Sequence, residues 1–266
     1  MKRIEIPIVE RKDNNISNQI KTCNKSIFDI VSVEALWNKF IKNEEFTKED
    51  LISLYDIYNI RSIEKNEFDT GLIVKIMSYR NIVRDMATIF DCDTKQITDN
   101  GTILRDDPSR YVVLLGNIEY YDTQRIYNNL RYIRGNCILP SLISINGKFP
   151  KLEAIGSDVD FQNLRDESSG LESLRSIGGD ANFERLMDAS GLCNLEIIGK
   201  TAYFHWLEHS NGLDKLKYIG GYANFTNLED ITHLSNLECI GYDVHLFRLN
   251  DEDTIELKKR TRKKVE

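Results

Sequence analysis

The sequence predicts an α+β protein. A mainly helical N-terminal region (residues 1–107) leads into a parallel-strand solenoid (108–250), followed by a basic tail or capping helix (251–266). Three observations predict this order. The C-terminal half repeats itself every 21–22 residues. Within each repeat the apolar residues fall at fixed offsets. The N-terminal hundred or so residues do not repeat, and they carry apolar residues at helical spacing.

The repeat is plainest in LESLRSIGGDANFERLMDASG (171–191), LCNLEIIGKTAYFHWLEHSNG (192–212) and LDKLKYIGGYANFTNLEDITH (213–233). Taking the second leucine as anchor, the units begin at Leu130, Leu152, Leu174, Leu195, Leu216 and Leu237. Three residues on stand Ile133, Ile155, Ile177, Ile198, Ile219 and Ile240. Seven on stand Cys137, Val159, Ala181, Ala202, Ala223 and Val244. Nine on stand Leu139, Phe161, Phe183, Phe204, Phe225 and Leu246. Twelve on there is always leucine: Leu142, Leu164, Leu186, Leu207, Leu228 and Leu249. A degraded unit precedes them in YVVLLGNIEYY (111–121), with Ile118 and Tyr120 in the strand slots.

One such unit cannot bury its apolar positions alone, whereas stacked units share one continuous core. The A-x-F alternation has period two and predicts one short strand per repeat, paired in parallel with its neighbours. Gly178-Gly179 and Gly220-Gly221 predict a tight bend into that strand. L-x-x-L-x-x-I has spacing three and predicts a helical or 3₁₀ turn on the outer wall. With its I-G-G-x-A-x-F core, the pattern resembles the leucine-rich-repeat superfamily, especially its bacterial and phage variants, over about residues 110–250. The family's L-x-L-x-x-N stands here as A-x-F-x-x-L. Leucine thus takes the place of the usual asparagine ladder, and the hydrogen bonding of the turns must differ.

Ahead of the repeats, KRIEIPIVE alternates like a strand, and VSVEALWNKFIK (31–42) has helical spacing. FTKEDLISLYDIY (46–58) opens on a capping box, Thr47 to Asp50. A third helix is expected over roughly 70–90, opening at Asp69-Thr70. These helices would cap the first repeat, because a solenoid needs its end cores covered, or form an independent binding or effector domain; TIELKKRTRKK would similarly cap the last repeat.

Composition narrows the setting. The chain of 266 residues is 41% hydrophobic and 29% charged, enough to bury a core. No apolar run approaches the roughly 20 residues of a membrane span. MKRIEIPIVERKD has no apolar h-region, so no signal peptide is expected. Five scattered cysteines without a C-x-x-C fit free thiols in a reducing compartment, so a cytoplasmic protein, of a bacterium or of a host cell, is expected. Net charge is −7; residues 256–266 carry +4, so the other 255 carry −11 (−7 less +4). An acidic body disfavours nucleic-acid phosphates except at the basic tail, 258–264, and suits a partner with a basic surface.

Catalytic motifs are weak. HWLEH (205–209) spells the H-x-x-E-H zinc order, but that motif needs a helix, where residues i and i+4 share a face. Here His205 follows the strand residue Phe204, and the ladder leucine Leu207 lies between the histidines. DCDTKQITDNG (91–101) faintly suggests a calcium loop, with Lys95 at a ligand position. No G-x-S-x-G, Walker loop or dinucleotide fingerprint occurs. The expectation is therefore a protein that is no enzyme, with no catalytic residue, metal or cofactor.

Residues between the ladder positions should face outward on the concave sheet, six, eight and ten after each anchor, with eleven at the rim. They give an acidic band of Asp158, Asp160, Asp180 and Glu184. Beside it lies an aromatic patch of Tyr203, Trp206, Tyr222 and Phe247, with His205 and His245. Exposed aromatics mark binding hot spots, and carboxylates pair with Lys or Arg of a partner. The expected function is non-catalytic protein–protein binding. The alternatives are an acidic inhibitor of the phage anti-defence kind, which would block a basic nucleic-acid-processing enzyme, and an enzyme with its site in the N-terminal region.

Overall fold

The computed structural model describes residues 31–58, 67–119, 125–165 and 169–261. The strand expected at KRIEIPIVE and the strand slot at Tyr120 lie outside them. Helix α1 (Val33–Ile41) starts at Ser32, whose hydroxyl accepts the Ala35 N–H at 3.1 Å. Helix α2 (Lys48–Tyr55) carries the expected capping box. The Thr47 hydroxyl accepts the Asp50 N–H at 3.2 Å, and the Asp50 carboxylate accepts the Thr47 N–H at 2.7 Å.

The single helix expected over 70–90 is instead two, α3 (Glu67–Met77) and α4 (Ile82–Phe90). The break has a local cause. Asn81 is extended and its side chain accepts the Arg84 N–H at 3.1 Å, so it caps a new helix. Just before it, Arg80 grips the buried Asp85 with two nitrogens at 2.7 and 2.6 Å, and the Tyr55 hydroxyl donates to the same carboxylate at 2.7 Å. That bidentate pair ties the interhelix turn to α4 and to α2.

After α4 come β1 (Ile97–Thr98), α5 (Gly101–Asp106) and then the solenoid. Each turn contributes two strands rather than the expected one. A first parallel sheet joins β1 to β2 (Val113–Leu114), β4 (Tyr132–Ile133), β6 (Ala154–Ile155), β8 (Ser176–Ile177), β10 (Ile197–Ile198), β12 (Tyr218–Ile219) and β14 (Cys239–Ile240). A second joins β3 (Ile118–Glu119), β5 (Cys137–Ile138), β7 (Val159–Asp160), β9 (Ala181–Asn182), β11 (Ala202–Tyr203), β13 (Ala223–Phe225) and β15 (Val244–Leu246). The degraded first unit is thus a full turn, β2 with β3.

The extra strand holds the isoleucines assigned to a helical turn. Leu114, Ile133, Ile155, Ile177, Ile198, Ile219 and Ile240 stand opposite one another in register. β-Branched residues suit such a pleated, packed row. Only the start of the L-x-x-L segment keeps helical character, as short 3₁₀ turns at Ser190–Leu192 and Thr232–Leu234.

The isoleucine row meets the alanine and phenylalanine rows of the second sheet in one buried core. Phe183, Phe204 and Phe225 stack in parallel with centroids 5.4 and 5.7 Å apart. Between the sheets the corners touch backbone to backbone. A Cβ on Gly220 or Gly241 would lie 2.0 Å from the carbonyl oxygen one turn earlier, of Gly199 or Gly220. Glycine is needed there for close approach, not for a left-handed backbone.

Leu104 of α5 and Leu257 of α6 (Asp251–Lys259) both belong to the solenoid core, so these helices serve its two ends. Helix α6 starts earlier than the polar segment suggested, with Asn250 as cap, three acids in its first turn and Lys258 and Lys259 in its last, matching the helix dipole. Beyond it, Ile240 donates its N–H to the Arg260 carbonyl at 3.0 Å, so Thr261 bridges to the last strand of the first sheet.

Helices α1–α4 do more than cap. Leu36, Leu54, Met86, Ile89 and Phe90 share a cluster with Val113, Tyr132 and Ala154, the outward row of the first sheet. The helices therefore roof that face. Along its border runs a row of alternating charge. Arg131 meets Glu153 at 2.5 Å, and the buried Glu196 takes Arg175 at 2.8 Å and Lys217 at 3.2 Å. The roof is fastened to this row. Arg131 donates to the Phe90 carbonyl at 2.8 Å, and the Tyr58 hydroxyl donates to Glu153 at 3.3 Å.

Candidate functional site

The outward row of the second sheet runs Ile138, Asp160, Asn182, Tyr203, Asn224, His245, in register across β5 to β15. Its two halves differ in chemistry. In the first half the polar side chains are spent on the backbone. Asn117 accepts the Asn136 N–H at 2.9 Å, Asn136 that of Asp158 at 3.1 Å, Asp158 that of Asp180 at 2.9 Å, and Asp180 that of Thr201 at 2.9 Å. This is an asparagine–aspartate ladder six residues after the anchor, away from the leucine position where such a ladder was thought to be lost. Two residues on, Asp160 accepts the Gln162 N–H at 3.1 Å, Asn182 that of Glu184 at 3.2 Å, and Asn224 that of Thr226 at 3.1 Å, each closing a turn as its strand ends.

Three carboxylates of the acidic band thus also have a structural job that the sequence did not suggest. Asp158 and Asp180 join consecutive turns, and Lys200 lies 3.4 Å from Asp158. Burial pushes the Asp160 carboxyl up; the Gln162 N–H opposes that shift and the charge of Glu184 adds to it. Of the four residues, Glu184 alone is fully exposed and makes no side-chain bond of this kind.

The ladder stops at Thr201, and aromatic side chains begin. Tyr203 is 40% exposed, Trp206 43%, Tyr222 52% and Phe247 81%. Tyr242, which sequence reasoning missed, is 44% exposed and stacks on Tyr222 with centroids 5.2 Å apart. A signal for it existed. It occupies a corner position where other turns have Gly135, Gly179 and Gly221. Tyr203, Tyr222 and His245 line one open groove with Thr201, Asn224 and Asp243, floored by Ala223 and Val244.

The other expected residues fall outside that groove's lining. Trp206 lies under the Arg185 guanidinium, 5.8 Å from ring centre to carbon. His205 is half-buried, its ring nitrogen 3.5 Å from the Asn224 amide. Phe247 is the most exposed of the aromatics.

The two histidines of HWLEH have separate partners. His205 meets Asn224, His209 meets Asp230 at 3.0 Å, and Leu207 between them is buried in the core. The calcium-like loop resolves into two caps. Asp93 accepts the Lys95 N–H ahead of a 3₁₀ turn, and Asn100 accepts the Thr102 and Ile103 N–H groups at the start of α5. Among the described residues, no three His, Cys, Asp or Glu side chains gather as a metal site, and no helix is long and apolar enough to cross a membrane. Cys92, Cys137, Cys193 and Cys239 are free thiols. Protein-family models, curated proteins and solved structures were all compared with the chain, and none matches it.

Proposed function

We propose that the chain is a non-catalytic, cytoplasmic protein-binding module of the leucine-rich-repeat kind, with its contact surface at the aromatic end of the second sheet. One observation carries this reading. Tyr203, Trp206, Tyr222, Tyr242 and Phe247 stand exposed on successive turns at one end of the sheet, where the earlier turns are polar. Water-exposed rings clustered in this way are the usual anchors of protein interfaces. The partner has a basic surface, because the outward rows six, eight and ten after each anchor hold Asp158, Asp160, Asp180, Glu184 and Asp243 and no Lys or Arg.

The test is capture of partners from native lysate by the full chain and by a Tyr222→Ser/Tyr242→Ser/Phe247→Ser variant. A partner held by the first and lost by the second, at equal thermal stability, supports the reading. A partner that survives the substitutions removes this surface from consideration. The same acidic rows favour a second reading, an inhibitor that occupies the basic channel of a nucleic-acid-processing enzyme. In that case the captured enzyme and nucleic acid compete, and complex formation weakens steeply with salt.

A further inference from the structure

We infer that the groove between β11, β13 and β15 is a cation-recognition pocket that grips an arginine side chain of the partner, with Tyr222, backed by Tyr242, as its aromatic wall and Asp243 as its counter-charge. The inference rests on the reading of this face as the contact surface and adds the chemistry it selects.

The position of Asp243 in the repeat is the starting point. In earlier turns the carboxylate at this offset, Asp158 or Asp180, hands an oxygen to the N–H of the following turn. Asp243 belongs to β15's turn, the last in the second sheet, so no following strand presents an N–H to it. Its Oδ1 accepts the N–H of its own neighbour Val244 at 2.8 Å, and among the described residues no donor bonds Oδ2. Among the described residues no Lys or Arg is paired with it, and the side chain is exposed. The nearest arginine in sequence, Arg248, is engaged with Glu229 at 3.2 Å and Glu208 at 3.6 Å.

Tyr222 lines the same groove as Asp243 and stacks on Tyr242, rings 27° from parallel, both about half exposed. A ring face and a carboxylate converging on one open groove form a site for a cation. The planar guanidinium suits it better than an ammonium, because it stacks on the ring while its fork bonds the carboxylate. The outward rows themselves hold no Lys or Arg to compete for the site.

The experiment is an amide-shift titration of the ¹⁵N-labelled full chain with three peptides, acetyl-Gly-X-Gly-amide with X arginine, lysine or citrulline, the last a neutral copy of arginine. Arginine should shift Tyr222, Tyr242 and Asp243, with lysine weaker and citrulline weakest. Asp243→Asn should weaken arginine binding roughly fivefold or more, the scale of one charge-assisted contact, and bring arginine and citrulline together. Glu44→Gln, an exposed carboxylate in the turn between α1 and α2, should leave binding unchanged. Equal binding of citrulline, shifts centred on Asp160 and Glu184 instead of the groove, or no shift at tens of millimolar would each overturn the inference. If the aromatic variant loses its captured partner but arginine does not bind, the contact surface stands and the cation pocket fails. If arginine binds the groove but the partner survives the aromatic substitutions, the pocket stands and the contact-surface reading fails.

Discussion

The two sheets of the solenoid share strand length, parallel pairing and one core, yet they treat their outward rows in opposite ways. On the first sheet Val113, Tyr132, Ala154, Ser176, Ile197, Tyr218 and Cys239 are all buried, the first three against the helices. On the second sheet Asp160, Asn182, Tyr203, Asn224 and His245 all reach solvent in part or fully. A tyrosine on the outward side thus has two meanings. Tyr132, 3% exposed and stacked on Phe90 at 5.5 Å, holds the roof; Tyr203, 40% exposed, keeps its ring partly in water.

The largest expected effect abolishes the contrast by striking what both sheets share. Phe204→Ala, in the middle of the phenylalanine stack, should cost about 3–5 kcal/mol in chemical denaturation, with loss of cooperativity in neighbouring turns. The next tests the contrast itself. Tyr132→Ala should cost about 3 kcal/mol, because it opens a cavity between sheet and roof. Tyr203→Ala should stay within about 0.5 kcal/mol, as exposed substitutions do. Equal losses at the two tyrosines would show that the second sheet is covered as well.

Acid separates roof from solenoid in a different way. Burial alone would raise the Asp50 carboxyl, but the Lys39 ammonium and the Thr47 N–H outweigh it and hold it below the ordinary range. In the solenoid, burial likewise opposes the bonds from His209, Thr232 and Ser210 that hold Asp230 low. Both carboxyls are depressed in the folded chain. Their stabilisation is therefore complete above the ordinary carboxylate pKa of about 4 and is lost as pH falls through their lower folded values. Asp50→Asn should flatten the acid limb of the stability profile for the roof, and Asp230→Asn that for the solenoid, each followed by hydrogen exchange. A small loss is also expected at the ladder. Asp180→Ala leaves the Thr201 N–H without its acceptor and should cost about 1 kcal/mol, while binding at the aromatic end persists. Loss of binding without loss of stability would return Asp180 to the contact surface.

Much of this was legible in the residues. The anchors Leu130 to Leu237, the isoleucines three later and the phenylalanines nine later all lie in the core, because a stacked repeat has to bury the same offsets every time. The Thr47–Asp50 box was legible because capping is local. The second strand was not. L-x-x-L-x-x-I has helical spacing whichever way it folds, and only pairing with the turns on either side makes Ile198 or Ile219 a strand residue. Nor was the break before α4. Apolar residues continue through Ile76, Met77, Ile82 and Val83, and the cap at Asn81 interrupts them from a polar position. The ladder role of Asp158 and Asp180 was not legible either, because a carboxylate looks the same in sequence whether or not it takes the N–H of the next turn.

The period, the core rows and the helical character of the N-terminal region belong to the sequence alone, since each follows from spacing along the chain. Which side of the solenoid is roofed and which is left bare does not. Tyr132 and Tyr218 stand two residues after their anchors and Tyr203 eight after its own, and neither offset says by itself which row is covered. The fate of Tyr132 is decided when α1–α4 pack on its sheet, and that of Tyr203 when the other sheet is left facing water, a choice made by apolar surfaces far apart in sequence that meet only in the folded molecule.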